Sequence, residues 1–371
     1  MHKSMLSRKY EFKDLGSAST FVGINITRDR PNHCLFIDQS PYVMEILEEF
    51  HLLDATPVSI PMNPKESWEI LQSNTALKPA EISTYQRAIG KLMYMMHGTR
   101  PDISYAVNKL AQYAATPTLR HWQGVLRIMR YLRGYDRVQL CLGTNISPVP
   151  PLFPPTNLLG FFDSSLMDCG VTRCCTGGYV FFYDGCVISW SAKKQGIVAL
   201  STTEAEFTSG TEAAKELLWI CNFLEFRGLL EHNLRLLGDN QSALALAGST
   251  EFKPRTRHIH GRERFIASLV RNKQYLLEYI PNRDMVADIM TKALPRESHH
   301  RHAITMGLIF GRMMPNVCYE CRAKFDTHNQ LYAHIKTMHH YVDIPLNPPE
   351  IMTNDMVCTI ATTNIIFIFF S

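Results

Sequence analysis

Four carboxylates stand where secondary-structure elements should end or begin. Asp163 follows the apolar run Leu158-Leu159-Gly160-Phe161-Phe162, and Glu206 falls in the first turns of a long helical pattern. Asp239 closes the short run Leu234 to Leu237, and Asp288 lies within a last helical stretch. Cleavage of a phosphodiester by two metal ions needs about this many oxygen ligands, because two Mg²⁺ roughly 3.5 to 4 Å apart must be held by hard donors. One ion would activate a water and the other would stabilise the leaving oxygen. Acids at such positions are also ordinary caps and solvated residues, and spacing alone leaves both readings open.

A second constellation is Cys318-x2-Cys321-x12-His334-x4-His339. Two thiolates from a β-turn and two imidazoles from one helix give Zn²⁺ a closed tetrahedral shell, the pattern of a single ββα finger. Phe325 and Leu331 occupy the two core positions, and His340 is an alternative fourth ligand. Counted along the finger helix, Thr327, Gln330 and Ala333 would face bases, a set compatible with adenine and thymine contacts. One finger covers about 3 bp, too little for a unique address.

The elements that must position these groups are legible from periodicity. After the proline-rich connector Ser147-Pro148-Val149-Pro150-Pro151, the runs Gly178 to Tyr183 and Val187 to Trp190 flank Asp184-Gly185, a hairpin signal because both turn residues tolerate positive φ. A helix capped by Ser201 or Thr202 runs to about Gly228, and further strands are expected at Leu234 to Leu237 and Tyr275 to Ile280. Helices are expected at Ser242 to Ala247, Arg257 to Lys273 and Asp284 to Ala293, which makes an α/β unit of roughly one domain's length. Before the connector, β-like runs at Ser19 to Thr27 and Cys34 to Ile37 mix with helical spacing at Val43 to Phe50, Tyr85 to Leu92 and Leu119 to Arg133. The last of these carries Arg127, Arg130 and Arg133 away from its apolar face.

The chain has 371 residues, 46% hydrophobic and 19% charged, which excludes global disorder and allows roughly two to three domains. The net charge of +4 argues for no partner by itself, but seven Lys/Arg against two Glu between Glu251 and Lys273 form a basic cluster suited to phosphates. It contains Arg255, Arg257, Arg262 and Arg264. Ten cysteines without a signal-like start point to a reducing compartment, cytoplasmic or nuclear rather than secreted. Cys169, Cys174 and Cys175 have no histidine nearby and read as incidental thiols. The apolar run Ile365 to Phe370 is far short of the roughly 20 residues a membrane span needs, so no membrane partner is expected.

Six segments in register, over about residues 158 to 307, resemble the ribonuclease H domain of copia-type long-terminal-repeat retrotransposon polyproteins. They are Gly160-Phe161-Phe162-Asp163, Thr176 to Phe182, Ile188 to Gln195, Val198 to Phe207, Gly238 to Ala243, and Val286 to Lys292. The resemblance implies an α/β fold, a mixed five-stranded sheet flanked by helices, and cleavage of the RNA strand of RNA–DNA hybrids with Mg²⁺. It implies Asp163, Glu206, Asp239 and Asp288 as the metal-binding set; Glu204 competes for the glutamate role, and Ala205-Glu206-Phe207 matches the family's Ala-Glu-aromatic core. The chain departs from the family after Asp163, where Ser164-Ser165-Leu166-Met167-Asp168 replaces Ala-Asp-Trp-Ala-Gly, and at Cys174-Cys175-Thr176-Gly177-Gly178, where Lys-Ser-Thr-Ser-Gly is usual.

Residues 9 to about 140 resemble the carboxyl-terminal part of the copia-type reverse transcriptase, through Phe12-Lys13-Asp14-Leu15-Gly16, Pro57 to Met62, Tyr85 to Tyr94, Thr99 to Val107 and Arg130 to Gly134. No Asp-Asp pair occurs in the chain, so the family's polymerase metal motif is absent and no copying activity is expected of this chain alone. The segment would position a template–primer duplex, with Arg127, Arg130 and Arg133 as phosphate contacts, or would only scaffold. The expected organisation is thus a reverse-transcriptase remnant (1–145), a ribonuclease H-like domain (156–296), a linker (297–315), a zinc finger (316–340) and a weakly structured tail (341–371). The alternative to a nuclease is a decayed retroelement fragment acting at most as a zinc-finger nucleic-acid-binding protein.

Overall fold

A computed structural model describes residues 17–31, 33–66, 75–143, 158–166, 172–229, 234–248, 265–266, 268 and 275–310. The expected zinc finger, the tail and nearly all of the expected basic helix lie outside these residues.

The first unit is an antiparallel sheet with helices against it. Its strands are β1 (Thr20–Phe21), β2 (Ile24–Asp29), β3 (Cys34–Asp38), β4 (Val138–Gly143) and, from the far end of the described chain, β10 (Leu308–Phe310), in that spatial order. Between β3 and β4 run α1 (Ser40–Glu49), α2 (Pro79–Gly98), a 3₁₀ turn (Pro101–Ile103), α3 (Ser104–Ala111) and α4 (Leu119–Gly134). Proline in the first turn of α1, α2 and the 3₁₀ turn costs nothing there, because the missing N–H has no intrahelical partner. Val125, Ile128, Met129 and Leu132 of α4 are buried, as the apolar spacing requires.

The second unit is a mixed sheet in the order β7-β6-β5-β8-β9, where β5 is Leu158–Ser165, β6 Thr176–Tyr183, β7 Cys186–Lys194, β8 Leu234–Gly238 and β9 Leu276–Tyr279. β5 to β7 are antiparallel and β5, β8 and β9 are parallel, so the C-terminal ends of β5 and β8 lie side by side. This is the five-stranded mixed sheet flanked by helices that the resemblance implies. The first six residues of β5 are buried, which suits the central strand of a sheet covered on both faces. The β6–β7 hairpin turns through Asp184 (φ 46°) and Gly185 (φ 79°), the paired positive φ values of a tight I′ turn. The long helix α5 (Thr202–Phe226) starts at Ser201, whose Oγ accepts from the Glu204 N–H at 3.1 Å. Helix α6 (Gln241–Gly248), a 3₁₀ turn (Asn282–Asp284), α7 (Asp288–Thr291) and α8 (Arg296–Thr305) complete the described elements. Among the described residues no helix is long and apolar enough to cross a membrane.

Two expectations need correcting. The single helix expected over Asp284 to Ala293 is a 3₁₀ turn and the one-turn α7, separated where Met285 takes an extended conformation (ψ 96°). Residues 297–315, expected as a linker, contain α8 and β10, and β10 pairs with β4 through Leu308↔Leu140, Ile309↔Gln139 and Phe310↔Val138. The buried face of α8 is made largely of histidine rings, which carry no apolar periodicity. His299 Nε2 meets the Asp102 carbonyl at 3.0 Å, and His300 Nε2 meets the Ser59 carbonyl and the Tyr135 hydroxyl, each at 3.1 Å.

The chain therefore returns to the first unit after building the second, and the two share one core. Trp190 of β7 donates its indole N–H to the Met96 carbonyl at 2.8 Å. Beneath this contact lies a buried polar knot: Arg100 holds both carboxylate oxygens of Asp102 at 2.9 and 2.8 Å and reaches the Tyr135 carbonyl, while Tyr131 donates to Asp102 Oδ2 at 2.7 Å. Burial alone would raise the Asp102 pKa, but Arg100 and the Tyr131 hydroxyl hold it below the usual carboxylate value. Burial pushes the His299 imidazole down to about 4, so it stays neutral against the Asp102 backbone. Removing one partner strands the other charge in the core, which costs roughly 3 to 5 kcal/mol. Asp102→Ala should lower stability by about that amount in urea unfolding followed by tryptophan fluorescence; a loss below about 1 kcal/mol would show that this buried pair is not a strut of the fold.

Candidate active site

The adjacency of β5 and β8 puts Asp163 and Asp239 next to each other. Asp163 sits near the end of β5, opposite Gly178 of β6, and Asp239 follows Gly238 at the end of the parallel neighbour β8. Glu206 comes from the first turns of α5, which packs on β5 and β6. Ligand oxygens of Asp163, Glu206 and Asp239 all lie within 4.8 Å of one another. The fourth expected acid, Asp288, opens α7 and joins this trio through a lysine. Its Oδ1 is 2.8 Å from Lys292 Nζ, which is also 3.7 Å from Asp163 Oδ2.

Glycine makes that approach possible. A Cβ on Gly178 would stand 2.5 Å from Met290 Cβ and 2.9 Å from Thr291 Cγ2, so any larger residue opposite Asp163 would drive α7 away. Thr291 of α7 donates its hydroxyl to Asp163 Oδ2.

The electrostatics are those of crowded carboxylates. Burial, then the charges of Asp163 and Asp239, hold Glu206 well above the usual glutamate value. Burial and Asp163 raise Asp239 against the pull of Lys292. Asp288 is pushed up to about 7 by burial and Asp163, again opposed by Lys292. Burial would lower Lys292, but Asp163 and Asp288 more than offset it and keep the ammonium charged. Glu206 Oε2 is buried and has no hydrogen-bond donor. An all-oxygen set with an orphaned acceptor matches the needs of a hard divalent cation such as Mg²⁺ or Mn²⁺.

The choice between the two glutamates has a structural basis. Glu204 Oε2 accepts the Leu200 N–H at 2.7 Å, closing a reciprocal cap with Ser201, so its carboxylate serves the helix start. Glu206 is the one that joins Asp163 and Asp239.

Three supporting residues escaped the sequence reading. Thr291 and Lys292 stand in the quoted Val286 to Lys292 segment, and the Asp288-x3-Lys292 spacing was the available signal. Gln195, at the end of another quoted segment, is buried and donates Nε2 to the Ala205 carbonyl at 2.9 Å and Ser209 Oγ at 3.1 Å, with Ser164 Oγ at 3.4 Å. It ties the residue after Asp163 to the residue before Glu206. Cys174 and Cys175 are buried and not joined in a disulfide.

Two of the α4 arginines, expected either to contact phosphates or only to scaffold, are bonded to backbone of the first unit. Arg130 Nε donates to the Thr56 carbonyl at 2.7 Å and Arg133 Nε to the Leu53 carbonyl, so both pin the loop after α1. Arg127 Nε is buried without a hydrogen-bond partner. Arg255, Arg257, Arg262, Arg264 and Gln330 lie outside the described residues, as do the expected zinc ligands Cys318, Cys321, His334 and His339.

No family model matches the chain. Among curated proteins it is 35% identical over 297 residues to the retrovirus-related Pol polyprotein from transposon TNT 1-94 of Nicotiana tabacum, covering 79% of this chain and 22% of that protein. It is 31% identical over 304 residues to the Pol polyprotein from transposon RE1 of Arabidopsis thaliana, covering 82% and 20%. An uncharacterized mitochondrial protein of Arabidopsis thaliana is 35% identical over 214 residues, 58% of this chain and 83% of that one. Among solved structures, the RNase H1 of Halobacterium salinarum aligns with 16% identity and a TM-score of 0.28, over 36% of this chain and 93% of that one. LC11-RNase H1 in complex with an RNA/DNA hybrid aligns with 14% identity and a TM-score of 0.29, over 36% and 93%. The chain spans about a fifth of the length of the Pol polyproteins it matches. By sequence, the chain belongs among the homologues of the retrovirus-related Pol polyproteins of plant transposons.

Proposed function

We propose that the chain is a ribonuclease H-type nuclease that hydrolyses the RNA strand of RNA–DNA hybrids with two Mg²⁺ held by Asp163, Glu206, Asp239 and Asp288, and that it does not copy nucleic acid by itself. The observation that carries this reading is the convergence of Asp163, Glu206 and Asp239 within 4.8 Å, with Glu206 Oε2 buried and lacking a donor. A carboxylate kept only as a cap has its oxygens engaged by N–H groups near the helix start, as Glu204 Oε2 is by the Leu200 N–H. Homology to Pol polyproteins supports a nucleic-acid substrate.

When bound, such ions supply a nucleophilic water at neutral pH and stabilise the leaving oxygen of the phosphodiester. The protein's part is to fix the ligands. β5 and β8 set the spacing of Asp163 and Asp239, Thr291 orients Asp163, and Gln195 locks the strand end to the helix that carries Glu206. The basic cluster with Arg255, Arg257, Arg262 and Arg264 would neutralise hybrid phosphates, and Arg127, Arg130 and Arg133 would contact the duplex, the last two through the guanidinium nitrogens not spent on the loop. Cys318, Cys321, His334 and His339 would bind one Zn²⁺ in a finger whose Gln330 faces a base.

With the full chain, an RNA–DNA hybrid and Mg²⁺, Asp239→Asn should cut the cleavage rate by at least about 100-fold while leaving the fold intact by circular dichroism. Cleavage that is absent in the parent chain, or unchanged in Asp239→Asn, would sink the nuclease reading.

The raised carboxylates also link stability to pH. A group whose folded pKa lies above its unfolded value takes up protons on folding, so its stabilisation is complete below the unfolded pKa and is lost as pH rises through the folded one. For Asp288 that window runs from about 4 to about 7. The melting temperature without divalent ions should therefore fall across this window more steeply for the parent chain than for Asp288→Asn. Parallel curves would contradict the crowded-carboxylate picture.

Atomic emission on the purified chain should find one zinc per molecule, reduced to none in Cys318→Ser. Equal zinc in both would refute the finger.

A further inference from the structure

Among the described residues, Lys292 is the cation set among the four acids, and the nuclease reading gives it no task. Its Nζ is 2.8 Å from Asp288 Oδ1 and 3.7 Å from Asp163 Oδ2, and its charge is also felt at Glu206 and Asp239. It follows α7 in an extended conformation (φ −148°, ψ 154°), and its side chain is 36% exposed, so the ammonium has a path to solvent. Burial, and mutual charge that one ammonium does not balance, make Glu206, Asp239 and Asp288 hold protons more tightly than usual. A divalent cation entering between Asp163 and Asp288 would meet that ammonium at contact distance, and two cations cannot share these oxygens without repulsion. Lysine suits a counter-ion that must depart, being a compact charge on a flexible stem, whereas arginine would clamp a carboxylate through two parallel bonds.

We propose that Lys292 is the resident counter-ion of the metal-free site, bridging Asp163 and Asp288 until a divalent cation displaces it, and that it thereby sets how much metal the site needs. The inference rests on the reading of the four acids as metal ligands and adds a competitor built into the chain. Lys292 then acts as a threshold: the acids stay folded without metal, and the nuclease switches on only where the divalent ion outcompetes the lysine. Displaced, the ammonium is free to meet an anionic substrate at the rim of the site.

The test is Mn²⁺ binding to the full chain, read as loss of the free-ion paramagnetic resonance signal and therefore independent of catalysis. Lys292→Met should bind Mn²⁺ about tenfold tighter or more and should melt at a lower temperature than the parent without metal, while Lys292→Arg should bind no tighter than the parent. In the parent chain, acetylation of Lys292 by an N-hydroxysuccinimide ester, followed by mass spectrometry, should speed up severalfold when Mn²⁺ is added. This readout needs no variant to fold. Equal or weaker Mn²⁺ binding in Lys292→Met, or slower or unchanged labelling of Lys292 with Mn²⁺, would overturn the proposal. If no form of the chain binds Mn²⁺ in a way that Asp239→Asn abolishes, the metal-site reading fails and this inference fails with it. If the affinities shift as expected but the hybrid is not cut, the counter-ion role stands and the nuclease activity does not.

Discussion

Carboxylates that share a buried site repel one another, and here Asp163, Glu206 and Asp239 are held with ligand oxygens inside 4.8 Å. Nothing in their own chemistry favours that arrangement. The fold imposes it, through a parallel β5–β8 pair whose ends coincide, a helix docked across β5 and β6, and a one-turn helix admitted by the missing side chain at Gly178. Burial first and this repulsion second raise the proton affinity of Glu206, Asp239 and Asp288, and Lys292 offsets part of the rise.

The second unit can bear such a site because it is braced. Trp190 bonds to the backbone of α2, the Arg100–Asp102 pair anchors the start of α3, and α8 with β10 carries the chain from the site back onto the first sheet. The acidic α7 lies between these attachments, contacting β5, β6, β7 and α3. The segment that resembles a polymerase remnant thus acts in this structure as the platform against which the carboxylate unit packs, and Arg130 and Arg133 spend part of their hydrogen-bonding capacity on its own loop.

Much of this was legible in the chain, for reasons that differ by residue. The β6–β7 hairpin is local, since Asp184-Gly185 dictates its own turn. The start of α5 is local too, because Ser201 and Glu204 cap it within four residues. Asp163 and Asp239 stood out because each ends an apolar run. That they meet is a property of strand order, which periodicity does not carry, and only resemblance pointed to it. Thr291 was missed because its partner Asp163 lies 128 residues away, and Lys292 because its spacing from Asp288 does not reveal that Asp163 is also in reach. Helix α8 was missed because histidines fill its buried face, and a ring stacked on Phe310 or edge-on to Tyr131 reads in sequence as polar.

As proposed above, these four acids form one two-cation site. Anomalous diffraction at the manganese edge from crystals of the full chain soaked in Mn²⁺ addresses it directly. Two peaks are expected roughly 3.5 to 4 Å apart, bounded by Asp163, Glu206, Asp239 and Asp288, with Lys292 moved off Asp288. Peaks elsewhere, or Lys292 still bridging Asp163 and Asp288 with no manganese among the four carboxylates, would contradict it.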